Sequence, residues 1–325
     1  MNERGRPRRK KLQKLARLVE ELRAELESVG SPSSNLGDEG RKPFVAPPPP
    51  FRKLRGYSVD PSLSTDLSSV EFSDVPYQLP WETLKPGPTG EYLEVIDVDP
   101  SSSCYYEPVD LDDPALLAQD GLSPSESTPQ FHQQMVYAVC TLTINNFERA
   151  LGRRALWRPG PSRDLKNPKD DSHYVQRLRI YPHALREANA FYSPQKIALL
   201  FGYFRAPIND EELSGSTVFT CLSHDIVAHE TTHALLDGMH REFLLPSNRD
   251  VLPFHEGFAD CVAMLQHFTF PKLLAYQISS TRGDIDSRAN LLVQLASQFG
   301  KALGNRTALR DAIGILTNKI GRAHV

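Results

Sequence analysis

A chain of 325 residues with 40% hydrophobic side chains has room for one or two domains and a buried core. Its 37 basic and 40 acidic residues leave a net charge of −3 and a pI near 6.4, which gives no case for a nucleic-acid partner. Cys104, Cys140, Cys221 and Cys261 are widely spaced and form no C-x-x-C, so they read as buried free thiols of a reducing compartment and exclude a dense disulfide framework.

Residues 1–29 read as a basic amphipathic helix. Arg4, Arg6, Arg8, Arg9, Lys10, Lys11 and Lys14 lead, and Leu12, Leu15, Leu18, Val19, Leu22 and Leu26 recur at helical spacing. No apolar stretch follows the basic start and no run reaches membrane length, so neither a secretory signal nor a membrane span is expected, and a cytoplasmic location is. Residues 30–55 read as a Pro/Ser-rich linker, with Pro47 to Pro50 favouring an extended polyproline II segment. This helix and linker are the places where a protein partner could dock. Residues 56–125 are irregular, with strand-like alternation at Tyr92–Val98.

From 126 the pattern sharpens. Phe131, Met135, Val139, Leu142, Phe147 and Leu151 mark a helix that Pro129 opens and Gly152 closes, with His132 read as solvated. Tyr174–Ile180, Asn189–Tyr192 and Ile197–Phe204 read as strands. Ser223 can cap the next helix, with Asp225 in its first turn, where the helix dipole favours negative charge.

That helix carries His229-Glu230-Thr231-Thr232-His233, an H-E-x-x-H motif. Histidines four apart share a helix face and aim two imidazoles at one point, as zinc requires of two of its ligands. Glu230 is then within reach of a water at that point as a general base. Pro246, Ser247, Asn248 and Pro253 read as breakers before a second helix bearing His255-Glu256-Gly257-Phe258-Ala259-Asp260. Glu256 is the candidate third ligand. Asp260, four residues on, can orient a ligand histidine from its outer nitrogen. His224, His240 and His255 are also near, but His255 is expected to point away from the site, and Cys261 to pack in the core.

HETTH followed by E-G-F-A-D on the next helix resembles the thermolysin-like peptidases, the gluzincin type. The resemblance runs over roughly residues 130 to 270 and includes Asp225-Ile226-Val227-Ala228, Ala234-Leu235-Leu236-Asp237 and Asn189-Ala190-Phe191. It implies an α+β fold: a small mixed sheet with a substrate-binding edge strand at Asn189, Ala190 and Phe191, then a mainly helical lobe, with the zinc site between them. It further implies one zinc ion on His229, His233 and Glu256, Glu230 as catalytic base, Asp260 as the outer partner of His229, and a peptide or protein substrate cut internally. Three positions depart from the family. The loop between the helices is longer, no Tyr lies between His233 and Glu256, and His267 stands where the family often has a calcium-binding acid, which argues against its double calcium site although Asp225 matches one ligand.

The peptidase domain is expected to span 126–319, with helices at Pro271–Ser280 and Ser287–Leu303. The family's further C-terminal histidine has no convincing counterpart before Lys319. Residues 320–325 are what the start of a common sequencing adapter encodes, so that stretch is expected to be an artefact and the domain to be C-terminally truncated. The reading that rivals the peptidase is a zinc-stabilised, non-catalytic scaffold or interaction protein. An aminopeptidase is disfavoured because no Gly-Ala-Met-Glu-Asn-like run is present.

Overall fold

The computed structural model describes residues 47–64, 70–159, 175–207, 215–240, 242–284, 294–295 and 310–311. The basic helix, most of the linker, residues 160–174 and the last residues lie outside these. The described chain is mixed α+β.

Strand β1 (Phe51–Tyr57) pairs antiparallel with β2 (Asp74–Pro80), Leu54 opposite Tyr77. Phe51–Arg55, placed by composition in the linker, are therefore strand, and alternation buries Arg52 and Leu54. A buried arginine needs partners. Arg52 finds the Leu111 carbonyl, the Asp112 carboxylate and the Glu82 carbonyl, with its guanidinium 4.4 Å over the Trp81 ring.

The central sheet begins with β3 (Leu93–Val95), which runs parallel to β4 (Leu178–Leu185). β4 is parallel to β6 (Ala198–Arg205), and β5 (Ala190–Ser193) is antiparallel to β6 on its other side. β7 (Thr217–Phe219) pairs the end of β6. Among the described residues β5 pairs with β6 alone, so it forms an edge, the placement that the resemblance implies. β4 starts later than the expected Tyr174, because its ladder to β3 and β6 opens only at Leu178 and Arg179. Gly202 of β6 lets the turn into β5 come close: a Cβ there would lie 2.3 Å from the Glu187 carbonyl oxygen and 2.6 Å from that of Asn189. The Gly202 N–H donates to Asn189 O at 2.9 Å.

Helix α1 (Pro129–Leu151) ends at Gly152, whose φ of 66° gives the left-handed cap. Phe131, Met135, Val136 and Val139 are buried in the core that also takes in Leu54 and Tyr77 of the β1–β2 pair and Leu178, Ile180 and Phe201 of the sheet. Next come α2 (His224–Met239), α3 (Val251–His267) and α4 (Pro271–Thr281). Pro253 does not break the chain, since it sits in the first turn of α3, where a backbone N–H has no helical partner to lose. Helix α4 forms where expected. The helix predicted at 287–303 lies outside the described residues except for Gln294–Leu295 (β8), which pair as strand with Arg310–Asp311 (β9). On α3, Leu265 and Phe258 are exposed, as is Phe268 at its C-cap, so the apolar side of this helix is not fully covered among the described residues. Cys104 and Cys261 are also exposed, which corrects the expectation of buried thiols; Cys140 and Cys221 are buried. No described helix is long and apolar enough to cross a membrane.

Candidate metal centre

Helix α2 starts on its predicted cap: the Ser223 hydroxyl accepts from Ile226 N at 3.5 Å. The helix is buried over Val227, Ala228, Ala234, Leu235 and Leu236, and polar residues within it bond locally. Thr231 and Thr232 donate to the carbonyls of Val227 and Ala228 at 2.6 and 2.8 Å. Cys140 of α1 lies 3.1 Å from the Thr231 hydroxyl, joining the two helices.

His229, His233 and Glu256 come together. The two Nε2 atoms are 3.0 Å apart, and each is 3.4 Å from a Glu256 carboxylate oxygen. Ligands held tetrahedrally at about 2.1 Å from one ion sit about 3.4 Å from one another. Two sides of the triangle match that spacing and the Nε2–Nε2 side is shorter, and its donor set of two imidazoles and a carboxylate is one zinc accepts. The outer nitrogens are held as well. His229 Nδ1 is 2.9 Å from Asp260 Oδ1, and His233 Nδ1 is 3.2 Å from His255 Nδ1. His255 does not point away as expected. Its ring stacks on that of His233 at 5.4 Å, and burial and the neighbouring His233 lower its proton affinity, so that it can accept the His233 Nδ1–H. Sequence spacing gives no sign of this contact, because the two rings meet across two helices.

The charges are coupled. Burial alone would depress His229, but hydrogen bonds to Asp260 and Glu256 and the charge of Glu230 carry it up to about 9. Burial opposes ionisation of Glu256, and the two histidines overcome it and hold the carboxyl well below the usual range. Glu230 is buried, and that burial raises its carboxyl above the ordinary value despite His229 and His233 nearby.

Glu230 also meets the sheet: the Tyr192 N–H of β5 donates to its Oε2 at 2.9 Å. Tyr192 is held a second time, through its hydroxyl to Asp237 Oδ2 at 2.8 Å. Asp237, two turns along α2 from Glu230, is buried against Arg158 at 3.1 Å. The helix with the motif thus grips the edge strand at two points. With the Tyr192 N–H turned away from β6, the period-two alternation turns the Ala190 N–H and C=O to the same open side. Asn189 faces β6 through its carbonyl, and Phe191 is half-exposed. The sequence pattern does not single out Tyr192, although it directly follows Asn189-Ala190-Phe191.

The chain matches no protein-family model, and no curated protein matches it.

His224 and His240 stand apart from the metal triangle. His240 caps α2. His224 is buried with Asp225 and His267, and Asp225 Oδ1 pairs with His267 Nε2. Two nitrogen donors in that group suit calcium poorly, since calcium takes oxygen ligands. His132 is not solvated as predicted. It is 1% exposed and its Nδ1 lies 2.8 Å from His183 Nε2. Nothing in the helical pattern of α1 marks it, because His132 replaces an ordinary core residue on the buried face.

Proposed function

We propose that this chain is a zinc-dependent endopeptidase of the thermolysin-like, gluzincin type. The observation that carries the reading is the convergence of three zinc-type donors with a buried glutamate beside them, itself in contact with an open strand edge. His229, His233 and Glu256 would hold the ion. Zinc, when bound, supplies a Lewis acid that polarises a carbonyl and makes a water acidic near neutral pH.

The chain's own residues carry the remaining steps. An extended peptide pairs with the open Ala190 backbone groups of β5 as an added strand. This lays its backbone beside the Glu230 carboxylate, because Glu230 is bonded to the next outward-facing residue, Tyr192. Glu230 takes a proton from the attacking water at its carboxylate and returns it to the nitrogen of the departing amine. Its raised proton affinity suits this transfer, because a carboxylate matched more closely to working pH accepts and releases a proton more evenly. Asp260 and His255 position the two histidines and do not touch substrate.

The test is cleavage of a quenched peptide library by purified protein, with and without a chelator and after zinc is returned. The reading expects internal cleavage that the chelator removes and zinc restores. Cleavage insensitive to chelation, or zinc binding that Glu256→Gln leaves unchanged, would overturn it.

A further inference from the structure

A second group of ligand-type side chains lies away from the centre just described. His132 of α1, His183 of β4 and Cys221 each offer a donor atom, and these atoms lie within 4.8 Å of one another. All three residues are at most 2% exposed. Cys221 belongs to the 3₁₀ turn Thr220–Leu222, directly before the Ser223 cap of α2.

The hydrogen bonds around the two rings set their tautomers. His132 Nε2 faces the Glu126 carbonyl oxygen at 3.1 Å, and a carbonyl only accepts, so that nitrogen carries its proton. His183 Nδ1 faces Asp97 Oδ1 at 2.6 Å and donates in the same way. Asp97 is fixed in turn by Gln133 Nε2 at 2.9 Å. In neutral rings both inner nitrogens, His132 Nδ1 and His183 Nε2, are then bare. They point at each other across 2.8 Å, where two lone pairs repel unless a cation lies between. An outer carboxylate on one ligand histidine and an outer carbonyl on the other is also how proteins orient metal-binding imidazoles. The rings of Phe219 and Tyr106 cover the pair, 4.6 Å from His132 and 5.0 Å from His183, and give the dry surroundings in which a bound ion is held firmly.

We propose that His132 Nδ1, His183 Nε2 and the Cys221 thiolate form a second, structural site for a borderline-soft transition-metal ion of the zinc and copper class. Two imidazoles and a thiolate select such an ion over magnesium or calcium. The site is closed to substrate, and its role is mechanical. It ties the start of α2, and with it the H-E-x-x-H motif, to α1 and the central sheet. A proton in place of the metal would also quiet the two rings and leave Cys221 a buried core residue, so the test must read the thiolate itself.

The proposal does not depend on the peptidase reading, and one experiment separates them. Full-length protein carrying Glu256→Gln, which weakens the first site, is stripped with a chelator and titrated with cobalt(II). The expected result is one equivalent bound with thiolate-to-cobalt absorption in the near ultraviolet. Adding Cys221→Ser, or His132→Gln should the serine variant fail to fold, removes both the absorption and that equivalent. Zinc at a concentration that leaves the weakened first site empty raises the melting temperature of the Glu256→Gln chain by about 5–10 °C and leaves the Glu256→Gln/Cys221→Ser chain where it was. No cobalt bound, cobalt bound without the absorption, or absorption that survives both variants would overturn the second site. One equivalent with the absorption in a wild-type chain that Glu256→Gln does not alter would support this site and remove the first.

Discussion

Replacing Asp260 with Ala removes the acceptor 2.9 Å from His229 Nδ1. A hydrogen bond to a charged partner contributes ~1.5–3 kcal/mol. Loss of such an outer partner weakens metal binding roughly 10–100-fold, or about 1.4–2.7 kcal/mol, so the two routes agree. Asp260 is 23% exposed, which favours the lower half of the range. A proton competes for the same histidine. His229 keeps its proton up to about pH 9, so at pH 7 about 2.7 kcal/mol of binding free energy goes into expelling it. Asp260 is the largest contributor raising that value, so the Ala variant has less to expel. The affinity gap between wild type and Asp260→Ala must therefore be smaller at pH 7 than at pH 9. The assay is zinc competition against a chromophoric chelator at both pH values and one ionic strength. Asp260→Asn, which keeps an acceptor without the charge, should fall between the two. A gap below twofold at both pH values, or one that narrows as pH rises, would refute the assignment of Asp260 to His229.

Other outcomes follow from the same geometry. Glu256→Gln should lower zinc affinity by at least about a hundredfold, a quarter share of the ~10–16 kcal/mol measured for four-ligand sites, read by the same competition. Zinc binding at pH 7 should release close to one proton, from His229, measured by calorimetry in buffers of different ionisation enthalpy; no release would contradict its raised proton affinity. In the metal-free chain His229, raised from 6.5 to about 9, contributes stability fully below pH 6.5, lost as pH climbs through 9. Glu256, depressed below 4.5, contributes above 4.5, and that part is lost on acidification. Chemical denaturation across pH should therefore place these contributions' joint maximum between about 4.5 and 6.5. Gly202→Ala should cost ~1–3 kcal/mol in the same measurement, because its Cβ would collide with the backbone oxygens of Glu187 and Asn189.

The parts of this molecule that local patterns govern were legible in the sequence. Pro129 and Gly152 bracket α1 as expected, because a proline suits a first turn and a glycine supplies the left-handed cap. The Ser223 cap and the pairing of His229 with His233 were legible because capping and helical spacing are local, and Glu256 only as a candidate on the following helix. What escaped depends on contacts between distant segments. His255 and His233 meet only once α2 and α3 pack, and His132 meets His183 only once α1 lies on β4. The β1–β2 pair escaped too. Its strands are separated by 16 residues and carry prolines at Pro76 and Pro80, so neither a tight turn nor a clean run announces them.

The most direct test of the central claim compares wild type with Glu230→Gln, both loaded with zinc, for metal content and for cleavage of the same quenched peptide. The account predicts equal zinc in the two proteins, chelator-sensitive cleavage by wild type, and a rate at least about 10²–10⁴ lower in the variant. Zinc-loaded wild type that cleaves nothing would make this a metal-stabilised scaffold, and cleavage retained by Glu230→Gln would take the glutamate out of the reaction.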